Sequence, residues 1–277
     1  MPELPEVETT RRGVAPWVEG QVLTGWLVRN ASLRWPVELP PELEGQKVLA
    51  VRRRAKYLLV HMPVGTLIIH LGMSGSLRVL TPDVAPLKHD HVDLQFGNEK
   101  ILRFNDPRRF GCILYQPGED PYVHPLLCNL GPEPLGNTFS GAHLHGVSRK
   151  RKVAVKSFIM DAKVVVGVGN IYAAEALFVA GIRPAVAAGR VPLHAYERLA
   201  DAIRVTLARS VKQGGTTLRD FVGSDGKPGY FKQQLNVYGR EGQACRVCGS
   251  LLVGRVLGQR STVYCGHCQV SRGFRRG

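Results

Sequence analysis

Four cysteines constrain this chain more than any other feature of its sequence. CRVC at 245–248 and CGHC at 265–268 make the pattern C-x2-C-x16-C-x2-C. Two such knuckles bring the thiolates of Cys245, Cys248, Cys265 and Cys268 to the corners of a tetrahedron around one Zn2+. Four sulfurs complete the shell and leave no open position, so the metal is expected to be structural. Strand-like LLVGRVL and STVYC between the knuckles predict a β-hairpin. His267 is a bystander inside a knuckle. Cys112 and Cys128 have no comparable spacing and read as apolar packing.

The hairpin segment is also basic. Residues 245–277 hold six arginines (Arg246, Arg255, Arg260, Arg272, Arg275, Arg276) and no Asp, Glu or Lys. The whole chain sets 37 Lys+Arg against 22 Asp+Glu, a formal charge of +15. Such a balance points to a polyanionic partner, either nucleic acid or an anionic membrane face. A zinc-stapled hairpin bearing arginines suits a groove and its phosphates. No stretch reaches the roughly 20 apolar residues of a membrane span. The acidic start has no apolar signal segment, so a cytoplasmic, nucleoid-associated address and no membrane partner are expected. In that reducing setting cysteines serve as ligands rather than disulfides.

The rest of the 277 residues divides by composition. A helix is expected from about Glu3 to Gly13. Strand-like runs follow at 22–29, 47–54, 56–62, 66–73, 91–96, 100–105 and 112–116, with a tight hairpin at Gly97-Asn98-Glu99. Short strands with turns between them predict an antiparallel sandwich or barrel. LGPEPLG (130–136) reads as a linker, after which helical periods take over at 150–161, 170–182 and 195–215. In the last of these Leu199, Ile203, Leu207 and Val211 form one apolar stripe ending at a Gly pair. The Gly-rich stretch 221–231 reads as a loop. The fold class is α+β, with domains at 1–130, 131–236 and 237–277.

The opening octapeptide, MPELPEVE, raises a chemical question. Pro and acids open helices routinely. Removal of Met1 would also expose Pro2 as a secondary amine beside Glu3 and Glu6. An α-amine, with pKa about 7.7–8.0, is roughly ten per cent free base at neutral pH, whereas a lysine near 10.4 is almost wholly protonated. GVGN (167–170) before a helical run is a phosphate-seat pattern, though a common one.

Taken in order, MPELPEVE, RRRAKYLLV, HLGMSGSL, NDPRRFG, LGPEPL, VVGVGNIYAAE, GGTTLRDF, SDGKPGYF and the cysteine knuckles resemble the bacterial formamidopyrimidine-DNA glycosylases from residue 2 to about 270. Leu4 stands where the related endonuclease VIII branch typically has glycine, which favours the purine-repair branch. The resemblance implies an N-terminal β-sandwich, a helix–two-turns–helix domain and a zinc finger, with double-stranded DNA carrying oxidised purines bound between them, and a monomer.

It further implies roles for single residues. Pro2 is the nucleophile that forms a Schiff base on the sugar, Glu3 moves protons, Glu6 positions Pro2, and Lys56 binds the phosphate at the lesion. Met73, Arg108 and Phe110 form the wedge that fills the gap left by an extruded base, with Arg109 a further DNA contact. His70, Asn170, Tyr172 and Arg260 are implied phosphate ligands. Lys156 is implied to reach the extruded base or a nearby phosphate, and residues 216–230 form the loop over that base. Without the family, Lys56 reads as a surface lysine and Met73 and Phe110 as core. The competing class is a non-enzymatic zinc-finger protein that binds damaged or bent DNA; it has no use for Pro2, Glu3 and Lys56 together. A zinc-ribbon RNA-associated protein fits the charge and leaves the N-terminus unexplained.

Overall fold

A computed structural model describes residues 2–215 and 235–274. The chain forms two compact units, Met1–Asn129 with Val211–Lys232, and Leu130–Ser210 with Gln233–Gly277. The capping loop expected at 216–230 lies outside the described residues.

The first unit is a sandwich preceded by a helix. Strands β1 (Leu23–Val28), β5 (Ser76–Leu80), β6 (Asp90–Phe96) and β7 (Ile101–Asn105) form one antiparallel sheet in the order β1-β6-β7-β5. Strands β2 (Ala50–Arg54), β3 (Tyr57–Met62), β4 (Gly65–His70) and β8 (Cys112–Pro117) form the other, in the order β2-β3-β4-β8. Alternate side chains from both sheets, among them Leu58, Val60, Leu67, Ile69, Leu94, Leu102 and Phe104, share one core with Val7, Val14 and Val18 of helix α1 (Leu4–Val18). Helix α1 therefore runs past the expected stop at Gly13 and through Pro16. Burial of Val14 and Val18, about 1.5–3 kcal/mol each, offsets the about 1 and 3 kcal/mol that Gly and Pro cost inside a helix. The expected hairpin turn forms, with Glu99 at φ +59 and its N–H on the Phe96 carbonyl. Strand β5 was not foreseen, because its short SLRVL follows the Gly-rich turn GMSG.

A buried ionic layer ties β6 to β7. Register places Asp93 opposite Arg103, whose Nε and Nη2 each donate at 2.8 Å to one carboxylate oxygen. Burial raises the Asp93 pKa, but hydrogen bonds from Arg103 and Arg29 outweigh it and the net shift is downward.

The second unit carries helices α2 (Gly141–Ser148), α3 (Val155–Ile159), α4 (Asn170–Val179) and α5 (Leu193–Lys212), then hairpin β9 (Leu252–Leu257) and β10 (Arg260–Cys265). The single helix expected at 150–161 contracts to the short α3. Unforeseen α2 packs on α5 through Gly141, where a Cβ would sit 2.4 Å from the Glu197 backbone. The expected stripe of α5 is buried, and Gly214 and Gly215 beyond its end have φ +75 and +83. LGPEPLG begins the unit and is tied down, Gly131 N–H donating to the Ala162 carbonyl at 2.8 Å. Ala174 and Phe178 of α4 pack against Val237, Leu252, Val263 and the buried cysteines of the hairpin. No helix among the described residues is long and apolar enough to cross a membrane.

Candidate active site and metal centre

The N-terminus of α1 separates two roles the sequence had merged. Glu3 is the N-cap and Pro5 occupies the first turn, so Pro2 stands before the helix rather than in it. A capping box closes the start: the Glu3 side chain accepts from the Glu6 N–H, and the Glu3 N–H donates to Glu6 Oε2 at 2.9 Å. Pro2, Glu3 and Glu6 are all buried, Glu6 completely. Gly215 passes so close that a Cβ there would lie 3.2 Å from Glu6 Oε1. The structure thus puts two buried carboxylates at the start of the first turn, one of them on the residue that follows Pro2.

Pairing of β2, β3 and β4 assembles the next group. Arg54 faces Tyr57, leaving Ala55 (φ +54) and half-buried Lys56 as a two-residue turn. Tyr57 faces His70, and their rings lie 4.9 Å apart between centroids. Burial pushes the His70 pKa down to about 4, Lys56 and Arg34 acting in the same direction and Asp106 opposing them. The imidazole is therefore neutral at pH 7. Its Nδ1 accepts the Gly72 N–H at 2.9 Å, which places the ring proton on Nε2. Lys56 and His70 thus offer a cation and a neutral donor side by side.

The expected wedge residues lie on two turns at the same end of this sheet. β4 pairs with β8 as far as His70 opposite Cys112, so the Met73 turn and the 106–111 loop leave adjacent strand ends. Met73 is half-buried, whereas Arg108, Arg109 and Phe110 are exposed. The Arg108 guanidinium sits 5.0 Å over the Phe110 ring, and Arg109 has φ +56. An exposed Phe is not a core residue. Two neighbours were missed: Ser74 and buried Asp106, whose signal was the Asp-Pro of NDPRRFG, a turn-starting pair.

The implied contacts of the second unit are placed unevenly. The hairpin turns through Gly258 and Gln259, both at positive φ as a type I′ turn requires, and presents Arg260 to solvent. Asn170 opens α4 after the cap residue Gly169, its Nδ2 donating to the Ser261 carbonyl at 3.1 Å. Tyr172 is turned inward and fully buried, its hydroxyl 2.6 Å from Ser210 Oγ. The expected reach of Lys156 to a base or phosphate is corrected here. Its side chain is 1% exposed, and Nζ donates to Thr262 Oγ1 at 2.7 Å and to the Ser261 carbonyl at 3.1 Å. The lysine faces the hairpin, not a surface. Sequence reading also missed Glu175, a carboxylate on the apolar face of α4. It accepts the N–H groups of Asn236, Val237 and Tyr238 at 2.8–2.9 Å and so fixes the segment entering the hairpin.

The four knuckle sulfurs lie within 4.8 Å of one another. Cys245 and Cys268 are 3.9 Å apart and Cys248 and Cys265 3.5 Å. A tetrahedron with 2.3 Å Zn–S bonds has edges of about 3.8 Å, so the cluster fits zinc. Backbone N–H groups of Val247 and Cys268 point at Cys245 and Cys265 sulfur, as bound thiolates require. The chain holds one structural zinc site.

Comparison with known proteins agrees with this architecture segment by segment. Residues 1–113 match the family profile of the formamidopyrimidine-DNA glycosylase N-terminal domain, residues 130–222 the H2TH domain of the same enzymes, and residues 242–270 a zinc finger found in FPG and IleRS. Sandwich, helical domain and four-cysteine hairpin in this order define a zinc-finger DNA glycosylase. A formamidopyrimidine-DNA glycosylase of Marinobacter nauticus is 59% identical over 271 residues, 97% of this chain and 100% of the relative. Among solved structures, the complex of a Lactococcus lactis FPG mutant with Fapy-dG-containing DNA superposes with a TM-score of 0.89 at 31% identity, covering 97% of this chain and 99% of that one. MutM in complex with DNA containing carbocyclic 8-oxo-G gives the same TM-score, identity and coverage. The chain belongs to the formamidopyrimidine-DNA glycosylase family.

Proposed function

We propose that this chain is a bifunctional DNA glycosylase and abasic-site lyase that removes oxidised purines, 8-oxoguanine and formamidopyrimidines, from duplex DNA. The observation that carries the reading is Pro2 standing outside α1 with the Glu3 and Glu6 carboxylates against the first turn. Once Met1 is removed, the Pro2 amine attacks C1′ of the lesion nucleotide and the damaged base leaves as its bond to C1′ breaks. Glu3 protonates the sugar ring oxygen as the ring opens, giving an iminium that is cationic because the amine is secondary. That charge accepts electrons when a proton leaves C2′ and the 3′ phosphate departs, and again when the 5′ phosphate follows. Water then hydrolyses the adduct and frees Pro2.

Glycosylases reach the sugar only after the base leaves the stack. Lys56 and His70 hold the phosphate at the lesion, and Met73, Arg108 and Phe110 fill the vacated space, with Arg109 beside them on the backbone. Asn170, Arg260 and the first turn of α4 bearing Tyr172 hold flanking phosphates. The zinc shell keeps Arg260 at the tip of a rigid hairpin. The substrate is chromosomal DNA in the cytoplasm.

Borohydride trapping on a duplex with one 8-oxoguanine opposite cytosine tests the reading, followed by mass spectrometry of the linked peptide. An adduct on the Pro2 nitrogen is the expected result. Binding by the processed, zinc-loaded protein with neither adduct nor strand cleavage would replace the enzyme with a binding module.

A further inference from the structure

Asp106 is completely buried at the root of the exposed 106–111 loop. Its Oδ1 accepts the Ser74 hydroxyl at 2.6 Å and the Arg108 N–H at 3.3 Å, while Oδ2 accepts the Gly111 N–H at 2.8 Å. Ser74 Oγ in turn accepts the Arg108 N–H at 3.2 Å. The Asp106 backbone is held to the neighbouring strand, its N–H on the His89 carbonyl and its own carbonyl 2.8 Å from His91 Nε2. One carboxylate thus closes both ends of the loop bearing Arg108, Arg109 and Phe110, and grips the residue after Met73. Where the two turns meet there is no slack: a Cβ on Gly72 (φ +61) would lie 2.4 Å from Gly111 N and 2.5 Å from the Phe110 carbonyl carbon.

The exposed tip has little packing of its own. A loop in that condition stays in one geometry only if its base is fixed, and charge-assisted bonds to a buried carboxylate are the strong kind. We propose that Asp106 is a positioning residue that joins the Met73 turn and the Arg108–Phe110 loop into a single wedge, so that their side chains enter the duplex as one body. This rests on the wedge assignment made above. Asp106 itself touches no DNA.

The test uses the full-length, zinc-loaded protein and a duplex with 2-aminopurine next to the 8-oxoguanine, which brightens on unstacking whether or not chemistry follows. Asp106→Asn turns one acceptor into a donor facing other donors, and Ser74→Ala removes the hydroxyl that ties the Met73 turn to Asp106 and to the Arg108 N–H while leaving the carboxylate in place. Both variants should lose most of the fluorescence rise. Excision should fall about tenfold or more, the equivalent of one charge-assisted hydrogen bond. Adding Met73→Ala to either variant should cost little further, because the anchor and the side chain serve one step. Full brightening in Ser74→Ala, or losses that multiply in the double variants, would overturn the proposal. Asp106→Asn is scored only if its thermal transition matches that of Ser74→Ala within a few degrees; otherwise Ser74→Ala and its double variant decide. Absence of a Pro2 adduct in the parent protein would sink the enzymatic reading separately and leaves the fluorescence comparison in force.

Discussion

Lys156 Nζ and Thr262 Oγ1, 106 positions apart in sequence, are 2.7 Å apart in the fold. The same ammonium shares the Ser261 carbonyl with Asn170 Nδ2. Helix α3, the start of α4 and the residue after Arg260 are thereby joined at one backbone group. Lys156→Met keeps the apolar stem and removes the donor. It should destabilise the second unit by about 1–3 kcal/mol, the range for a buried group left unsatisfied, and weaken binding to lesion DNA while zinc stays bound. Metal analysis and fluorescence anisotropy on the same preparation would check this. Loss of zinc in the variant would show that the lysine supports the metal shell instead.

His70 sets a pH window. Its folded-state pKa lies near 4, below the 6.5 of a free imidazole, so it binds a proton more weakly folded than unfolded. Above pH 6.5 it is neutral in both states and has no pH effect on stability. As pH falls from 6.5 towards 4 the unfolded chain takes up the proton first, and stability declines. Melting temperatures across that range should fall less steeply in His70→Gln than in the parent. A His70 titration midpoint above 6 by NMR would contradict the expectation.

Glu3 offers a clean separation of charge from structure. Glu3→Gln keeps an oxygen that can accept the Glu6 N–H, so the cap of α1 survives. Excision should drop by about 10²–10⁴, the usual scale for a lost acid–base group, with lesion binding retained. Single-turnover kinetics and a binding isotherm decide it; normal excision would remove Glu3 from the mechanism.

Zinc removal should act well beyond the metal. Cys245 and Cys265 are buried in the cluster that joins the hairpin to Ala174 and Phe178. Cys265→Ser, or chelation of the parent, should lose zinc, the hairpin's protection from hydrogen exchange and DNA affinity together. Undiminished binding without zinc would dismiss the finger from recognition.

Much of this was legible in the chain before folding. The zinc site follows from two knuckles, each with two residues between its cysteines, a local pattern whose geometry is dictated by the ion. Alternation and turn residues disclosed seven of the eight sandwich strands, and the stripe of α5 with its terminal glycines placed that helix. These signals survive because each depends on neighbours within a few residues. The roles carried by Pro2, Lys56 and Met73 came from whole motifs in order, since a lone proline, lysine or methionine has no signature of its own.

Other features depended on partners far along the chain. Helix α1 passes Gly13 and Pro16 because a sandwich made by later residues buries Val14 and Val18. Asp106 drew no reading of its own within NDPRRFG, and becomes an anchor through Ser74, 32 positions earlier. Lys156 reads as a basic contact and faces inward because the hairpin supplies oxygens for its ammonium. Metal chelation, periodicity and turn geometry are local and are written in order along the chain. Which polar group is buried, and against what, depends on desolvation balanced by a partner that exists only when distant segments meet.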